Sequence, residues 1–272
     1  MEGLSKFLIV AFWIYLAMTF SVSVLQYHLL FTAKESRRLH VAAMTPAWIL
    51  PIFPVMLAGT LAGGFSKLQP PDLAIPMVCA GLAAQGLGLL ISIFMYSTYL
   101  SRLMAYGLPA QRPGMFIAVG PPSFTCAALL AMAADVPRLF ASDAVRGVTF
   151  LVGIGADPAS LSSGVRLLAV CIAIFFLGLS LWFFCSAAAA VAVGMPDRRF
   201  HLSWWSFVFP NVGFTIACIR IGDAVESPGI LWTGSVMTVV LVAAWGFIGF
   251  RCGLAVYKRE IVWPGHDEDS GP

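Results

Sequence analysis

Apolar residues fall into seven blocks, 5–31, 42–66, 73–104, 113–134, 164–194, 202–223 and 228–257, separated by polar links. A helix needs about 20 apolar residues to cross a hydrocarbon core. A lone segment in lipid must also satisfy its own backbone hydrogen bonds, which selects helix. The pattern therefore predicts about seven transmembrane helices. The links are KESRRLH, KLQPPD, GLPAQRP, a long loop from Asp135 to Ser163, PDRR and DAVESPG. The first block is too long for the apolar region of a cleavable signal, so it reads as a span.

Two kinds of block alternate. Blocks 1, 3, 5 and 7 are long and carry few or no interior prolines. Blocks 2, 4 and 6 are shorter, with proline at mid-span: TPAWILPIFPVMLAGTLAG, RPGMFIAVGPPSFTCAALLAMA and SWWSFVFPNVGFTIACI. Pro54 and Pro121 lie 67 residues apart, and Pro121 and Pro210 lie 89 apart, the second interval lengthened by the 135–163 loop. This is a loose hairpin repeat of the kind transporters carry. Proline removes a backbone donor, and the freed carbonyl is tolerated in lipid only against protein or a water-filled cavity. The broken helices are therefore expected to form an inner ring around a pathway, and the smooth ones an outer, lipid-facing ring. Prolines that merely shape packing are the alternative.

Composition supports the membrane reading. Of 272 residues, 60% are hydrophobic and 11% charged, against roughly 25% charged in a soluble domain. The net charge of +3 comes without a long Lys/Arg run, so no nucleic-acid partner is expected. The six cysteines lie in apolar stretches without a CxxC pair, and read as small packing residues. No Walker A, GxSxG or HExxH motif is present. The expectation is of a protein that is not an enzyme and uses no cofactor or metal. His28, His40, His201 and His266 sit near span ends or in links.

Charge sets the orientation. One side holds Lys34, Arg37, Arg38, Arg102, Arg112, Arg198, Arg199, Arg251, Lys258 and Arg259, ten in all. The other holds Lys6, Lys67, Arg138, Arg146, Arg166 and Arg220, offset by Asp72, Asp135, Asp143, Asp157, Asp223 and Glu226. The more basic side is read as cytosolic. The C-terminus is then inside, with an acidic tail at 264–272 after a membrane domain at 1–263, and the N-terminus is outside. Seven spans in that orientation also describe rhodopsin-like receptors, but the last block has no lysine to hold retinal.

No acidic residue falls in the middle of a span, where cation pathways normally place one. The broken blocks instead carry Thr45, Thr60, Ser123, Thr125, Ser206, Asn211 and Thr215. Such neutral groups can donate to an anion without trapping it, although Ser and Thr also simply let helices pack closely. Phe209 before Pro210 and Phe53 before Pro54 could hold rings at the breaks, with Pro121 marking the third. Arg220 lies toward the outer end of block 6 with Asp223 on the same helix face. It reads as either a structural pair or an anion-attracting arginine.

The three broken segments, FVFPNVGF most specifically, resemble the inner helices of the tellurite-resistance/dicarboxylate transporter family. The likeness runs from about Ser5 to Trp263 and is closest to its fungal C4-dicarboxylate (malic acid) members. The resemblance implies ten helices in five hairpins around a central pore, commonly as a homotrimer. It implies a phenylalanine gate on the ninth helix, which falls on Phe209 here. The implied activity is transport of small anions, C4-dicarboxylates such as malate, across the plasma membrane, with sulfite or another small anion as the alternative. Counting back from the FVFP helix as the ninth, the first block is the fourth. The chain is thus expected to lack the helices before it, and a non-transporting short form is a further alternative.

Overall fold

The computed structural model describes residues 2–35, 38–142, 157–196 and 199–261. The expected tail at 264–272, residues 143–156 of the expected long loop, and Arg37 and Arg198 lie outside the described residues.

The described chain is all-helical, as the block pattern predicts. Its α-helices are α1 (Glu2–Phe31), α2 (Phe53–Phe65), α3 (Pro71–Tyr106), α4 (Gly120–Ala133), α5 (Val136–Phe140), α6 (Pro158–Ala192), α7 (Phe209–Ala224) and α8 (Pro228–Tyr257). Among the described residues, six helical runs are long and apolar enough to cross a membrane. Block 2 is shorter than expected as a continuous helix. The 13 residues of α2 follow two 3₁₀ turns, Val41–Ala43 and Pro46–Ile49.

Each broken block has the same construction. A 3₁₀ stretch leads into an α-helix, and proline occupies the α-helix's first turn. In block 4, Arg112–Val119 is 3₁₀ and α4 follows, with Pro121 and Pro122 in its first turn. In block 6, Leu202–Phe207 is 3₁₀ and α7 follows, with Pro210 in its first turn. The mid-span prolines therefore mark where one helix type gives way to another. The first turn is where proline's missing N–H is least costly.

The inner and outer roles also separate. The most apolar window of Arg112–Phe140 is 94% buried, against 11% in α1 and in α8. The α4 helix packs against α2, α6 and α7, while α1 and α3 flank α2 and α8 flanks α7. The outer helices expose Phe7, Met18, Phe175, Trp232 and Phe250, an apolar surface suited to lipid. Among them α3 is two-faced, burying Gln85, Ser92, Tyr96 and Tyr99 against the inner row.

Small residues set the spacing of α2 and α3, as in other membrane bundles. A Cβ added at Gly81 would stand 2.4 Å from the Ala62 Cβ and 3.3 Å from the Ala58 carbonyl oxygen. Neither neighbour can rotate away. Gly81→Ala is therefore expected to lower stability by about 1–3 kcal/mol through overpacking, read as a fall in the unfolding temperature of the detergent-solubilised protein. An unchanged unfolding temperature would show that the two helices separate freely.

Polar ties fasten the helix ends. At one end, the Ser5 hydroxyl donates to Gln69 Oε1 at 2.8 Å, and Gln69 Nε2 returns to the Ser5 carbonyl at 2.9 Å. Arg138 donates to the Ser66 and Gln69 carbonyls at that same end. At the opposite end, Arg102 donates to the carbonyls of Ala42 and of Gly107, whose φ of +74° lets it close α3. Arg112 donates to the carbonyls of Ala190, in the last turn of α6, and of Gly194, just past its end. Arg102 and Arg112, two of the arginines on the more basic side, thus tie down helix ends. Arg251 lies over the Trp204 ring, 5.7 Å from its centroid.

Candidate functional site

The three breaks converge. The Phe53 ring, in the first turn of α2, stands edge-on to Phe209 at 5.8 Å and 87°. It meets Phe124 of α4 in the same way, at 5.5 Å and 89°. Edge-to-face packing of this kind is the favoured aromatic geometry. Phe53 is buried, whereas Phe124 and Phe209 are half-buried. Two glycines make room. A Cβ at Gly120 would stand 2.8 Å from the Phe53 ring and 3.6 Å from the Pro210 Cβ. A Cβ at Gly213 would stand 2.6 Å from the Phe124 ring.

The sequence singles out Phe53 and Phe209, and the structure places their rings in contact. It adds Phe124, three residues after Pro121. Its signal in the sequence is that proline, ring and glycine recur together at these two breaks, in GPPSF and in FPNVGF, though in different order. Pro121 and Pro210 are buried beside the cluster. Pro54 is exposed on the outer side, where its carbonyl accepts the Tyr15 hydroxyl at 2.8 Å.

The polar candidates scatter around these rings. Ser123 is fully buried, and its hydroxyl has no hydrogen-bond partner among the described residues. The same holds for the Thr60 hydroxyl and for Asn211 Oδ1. Asn211 Nδ2 donates to the Phe207 carbonyl at 3.0 Å, across the α7 break. Thr125 and Thr215 return their hydroxyls to carbonyls one turn back, those of Pro121 and Asn211. Thr215 also lines a groove between α7 and α8. Ser206 is buried in the 3₁₀ stretch before α7. Thr45 is half-buried at the start of the Pro46–Ile49 turn, on the more basic side. Arg220 is half-buried near the end of α7, and no ion pair joins it to Asp223 among the described residues.

One polar contributor comes from an outer helix and has no counterpart in the broken blocks. Gln85 of α3 is 1% exposed, and its Nε2 donates to the Thr125 hydroxyl at 2.8 Å. It fits because Gly59 of α2 leaves the space; a Cβ there would stand 2.5 Å from Gln85 Oε1. The buried polar side chains of α4 and α7, Ser123, Thr125, Asn211 and Thr215, are all neutral. Among the described residues, no group of three His, Cys, Asp or Glu is placed to hold a metal ion.

Comparison with known proteins agrees with this architecture. The family described as voltage-dependent anion channel matches residues 2–252. A putative malic acid transport protein of Schizosaccharomyces pombe is 35% identical over 265 residues, 96% of this chain and 58% of the relative. The malic acid transport protein of the same yeast is 31% identical, with 97% and 58% covered. A sulfite efflux pump of Trichophyton rubrum is 24% identical, with 94% and 64% covered. The chain thus spans less than two thirds of the length of these relatives. No solved structure matches the chain.

Proposed function

Because the chain belongs to the voltage-dependent anion channel family, we propose that it carries small organic anions across a membrane. The substrate class is C4-dicarboxylates such as malate. The observation that carries this reading is the meeting of Phe53, Phe124 and Phe209 where three proline-broken segments adjoin. The interior around them offers neutral donors and no buried acid within α2, α4 or α7. Weak, uncharged donors suit the passage of an anion that must enter and also leave.

In this reading Phe209 is the gate, seated by Pro210, and Phe53 on Pro54 is the surface it closes against. Pro121 holds the third break. Ser123 offers a hydroxyl with no protein partner among the described residues, and Asn211, Ser206, Thr125, Thr215 and Thr45 are further contacts along the path. Arg220 draws anions toward the outer end of α7. The protein resides in the plasma membrane as a homotrimer with its C-terminus cytosolic. Identities of 35% and 31% to relatives named for malic acid transport support malate as the substrate.

The test is uptake of radiolabelled malate by yeast lacking its own malate uptake, with and without expression of the chain. Uptake above the empty-vector control is the expected outcome. A second reading, sulfite efflux, has the more distant relative behind it. It would be favoured if the chain relieved sulfite sensitivity and left malate uptake at background. Neither effect, with the protein present in the membrane, would support a form that does not transport.

A further inference from the structure

Every proline at the breaks leaves one carbonyl without its amide, and lipid supplies no substitute donor. The accounting for blocks 2 and 4 closes in two ways. Some carbonyls are taken by a tighter backbone turn. Pro54 cannot serve the Leu50 carbonyl, and the Phe53 N–H reaches it at 3.2 Å. Pro121 cannot serve the Ile117 carbonyl, and the Gly120 N–H reaches that one.

Two others are taken by tyrosines from outer helices. Pro122 cannot serve the Ala118 carbonyl, and the Tyr96 hydroxyl of α3 donates to it at 2.8 Å. The Ile52 N–H turns to the Ile49 carbonyl at 3.1 Å. That leaves the Trp48 carbonyl, and the Tyr27 hydroxyl of α1 donates to it at 3.0 Å. Ala118 stands two residues before Gly120, against which the Phe53 ring lies. Trp48 stands five residues before Phe53 itself.

We infer that Tyr27 and Tyr96 are positioning residues of the aromatic gate, each pinning a 3₁₀-to-α break from an outer helix. The inference rests on the gate reading above. The geometry lets the hydroxyl be separated from the ring. Tyr96 is 5% exposed and packs on Phe183 of α6 at 4.6 Å, and Tyr27 stacks on Phe31 at 5.9 Å. Phenylalanine keeps both ring contacts and removes only the donor. The freed carbonyl then competes for other partners, and the break shifts under the rings.

The experiment reconstitutes the full chain in liposomes and reads malate efflux per protein molecule. Tyr27→Phe and Tyr96→Phe are each made alone and together with Phe209→Ala. Each single change is expected to raise efflux about fivefold, the equilibrium factor of one net hydrogen bond. In the Phe209→Ala background neither should add anything, because the gate they position is gone. Hydrogen exchange should quicken in 112–124 for Tyr96→Phe and in 46–56 for Tyr27→Phe. If Tyr96→Phe does not accumulate, Tyr27→Phe decides, since Tyr27 is only half-buried. Raised efflux in Phe209→Ala with unchanged efflux in both tyrosine variants would overturn the inference and leave the gate standing. An equal fall in both backgrounds would also overturn it, as the mark of a merely structural role. Unchanged efflux in Phe209→Ala would remove the gate reading itself, and this inference with it.

Discussion

Phe209→Ala should open the pathway, raising anion flux about tenfold at constant protein in the membrane. The ring packs edge-on to Phe53 at 5.8 Å. An edge-to-face pair is worth about 0.5–1.5 kcal/mol beyond its buried area. Burying a phenylalanine fully contributes about 1.5–3 kcal/mol more, and half-buried Phe209 claims the lower part of that range. Weakening the closed state by about 1.4 kcal/mol or more lowers the closed-to-open ratio by a factor of about ten or more. The helix itself should survive. Pro210 still opens α7, and alanine is the stronger helix former. Phe53→Ala is a poorer test, because Phe53 is the ring that touches both others and is 6% exposed. Its loss would cost about 3–5 kcal/mol of stability as a cavity. The measurement is malate efflux from liposomes, normalised to incorporated protein. Equal flux in Phe209→Ala and the parent would remove the gate.

Much of this arrangement is legible in the sequence because it rests on local signals. Twenty-residue apolar runs give the spans, and recurring mid-span prolines give the inner row. Phe53 and Phe209 stand out because each precedes a proline in a repeated setting. What is not legible depends on partners far along the chain. Gln85 reads as one polar residue in an outer helix, and nothing local tells that Gly59, 26 residues earlier, opens a slot for it. Nothing local in the sequence marks Tyr27 and Tyr96, whose hydroxyls reach the carbonyls left open at the breaks. Arg102 and Arg112 count as charges at a basic mouth, yet each also donates to backbone carbonyls near helix ends. A charge count sorts the basic residues between the two ends of the bundle without knowing whether a given arginine is available to an anion. The 3₁₀ form of the segments before α2, α4 and α7 is also hidden, since proline announces a break without specifying its shape.

The end of the bundle opposite Arg102 and Arg112 offers a second large effect, on stability. Arg138 grips Asp135 bidentately, Nε to Oδ1 at 2.8 Å and Nη2 to Oδ2 at 2.9 Å. Its remaining donors hold the Gln69 carbonyl at 3.1 Å and the Ser66 carbonyl at 2.9 Å. Gln69 in turn holds Ser5 of α1. One guanidinium therefore ties the turn after α4 to the α2–α3 link and, through it, to α1. The Asp135 side chain is 4% exposed and that of Arg138 38%. Removing a partner from a buried pair costs about 3–5 kcal/mol, because the remaining charge is left buried. Water reaching the half-open arginine site places this pair near the lower bound. Arg138→Ala is therefore expected to lower the unfolding temperature in detergent by about 6–12 °C. Arg138→Lys keeps the charge but loses the fork, and should fall between. Asp135→Ala combined with Arg138→Ala should cost less than the sum of the single changes, since neither leaves a lone charge when both are gone. An unfolding temperature unmoved by Arg138→Ala would show that the pair is idle. The rings lie at the breaks and this tie lies beyond the far end of α4. Efflux per folded molecule should accordingly be unchanged in Arg138→Ala, in contrast to Phe209→Ala.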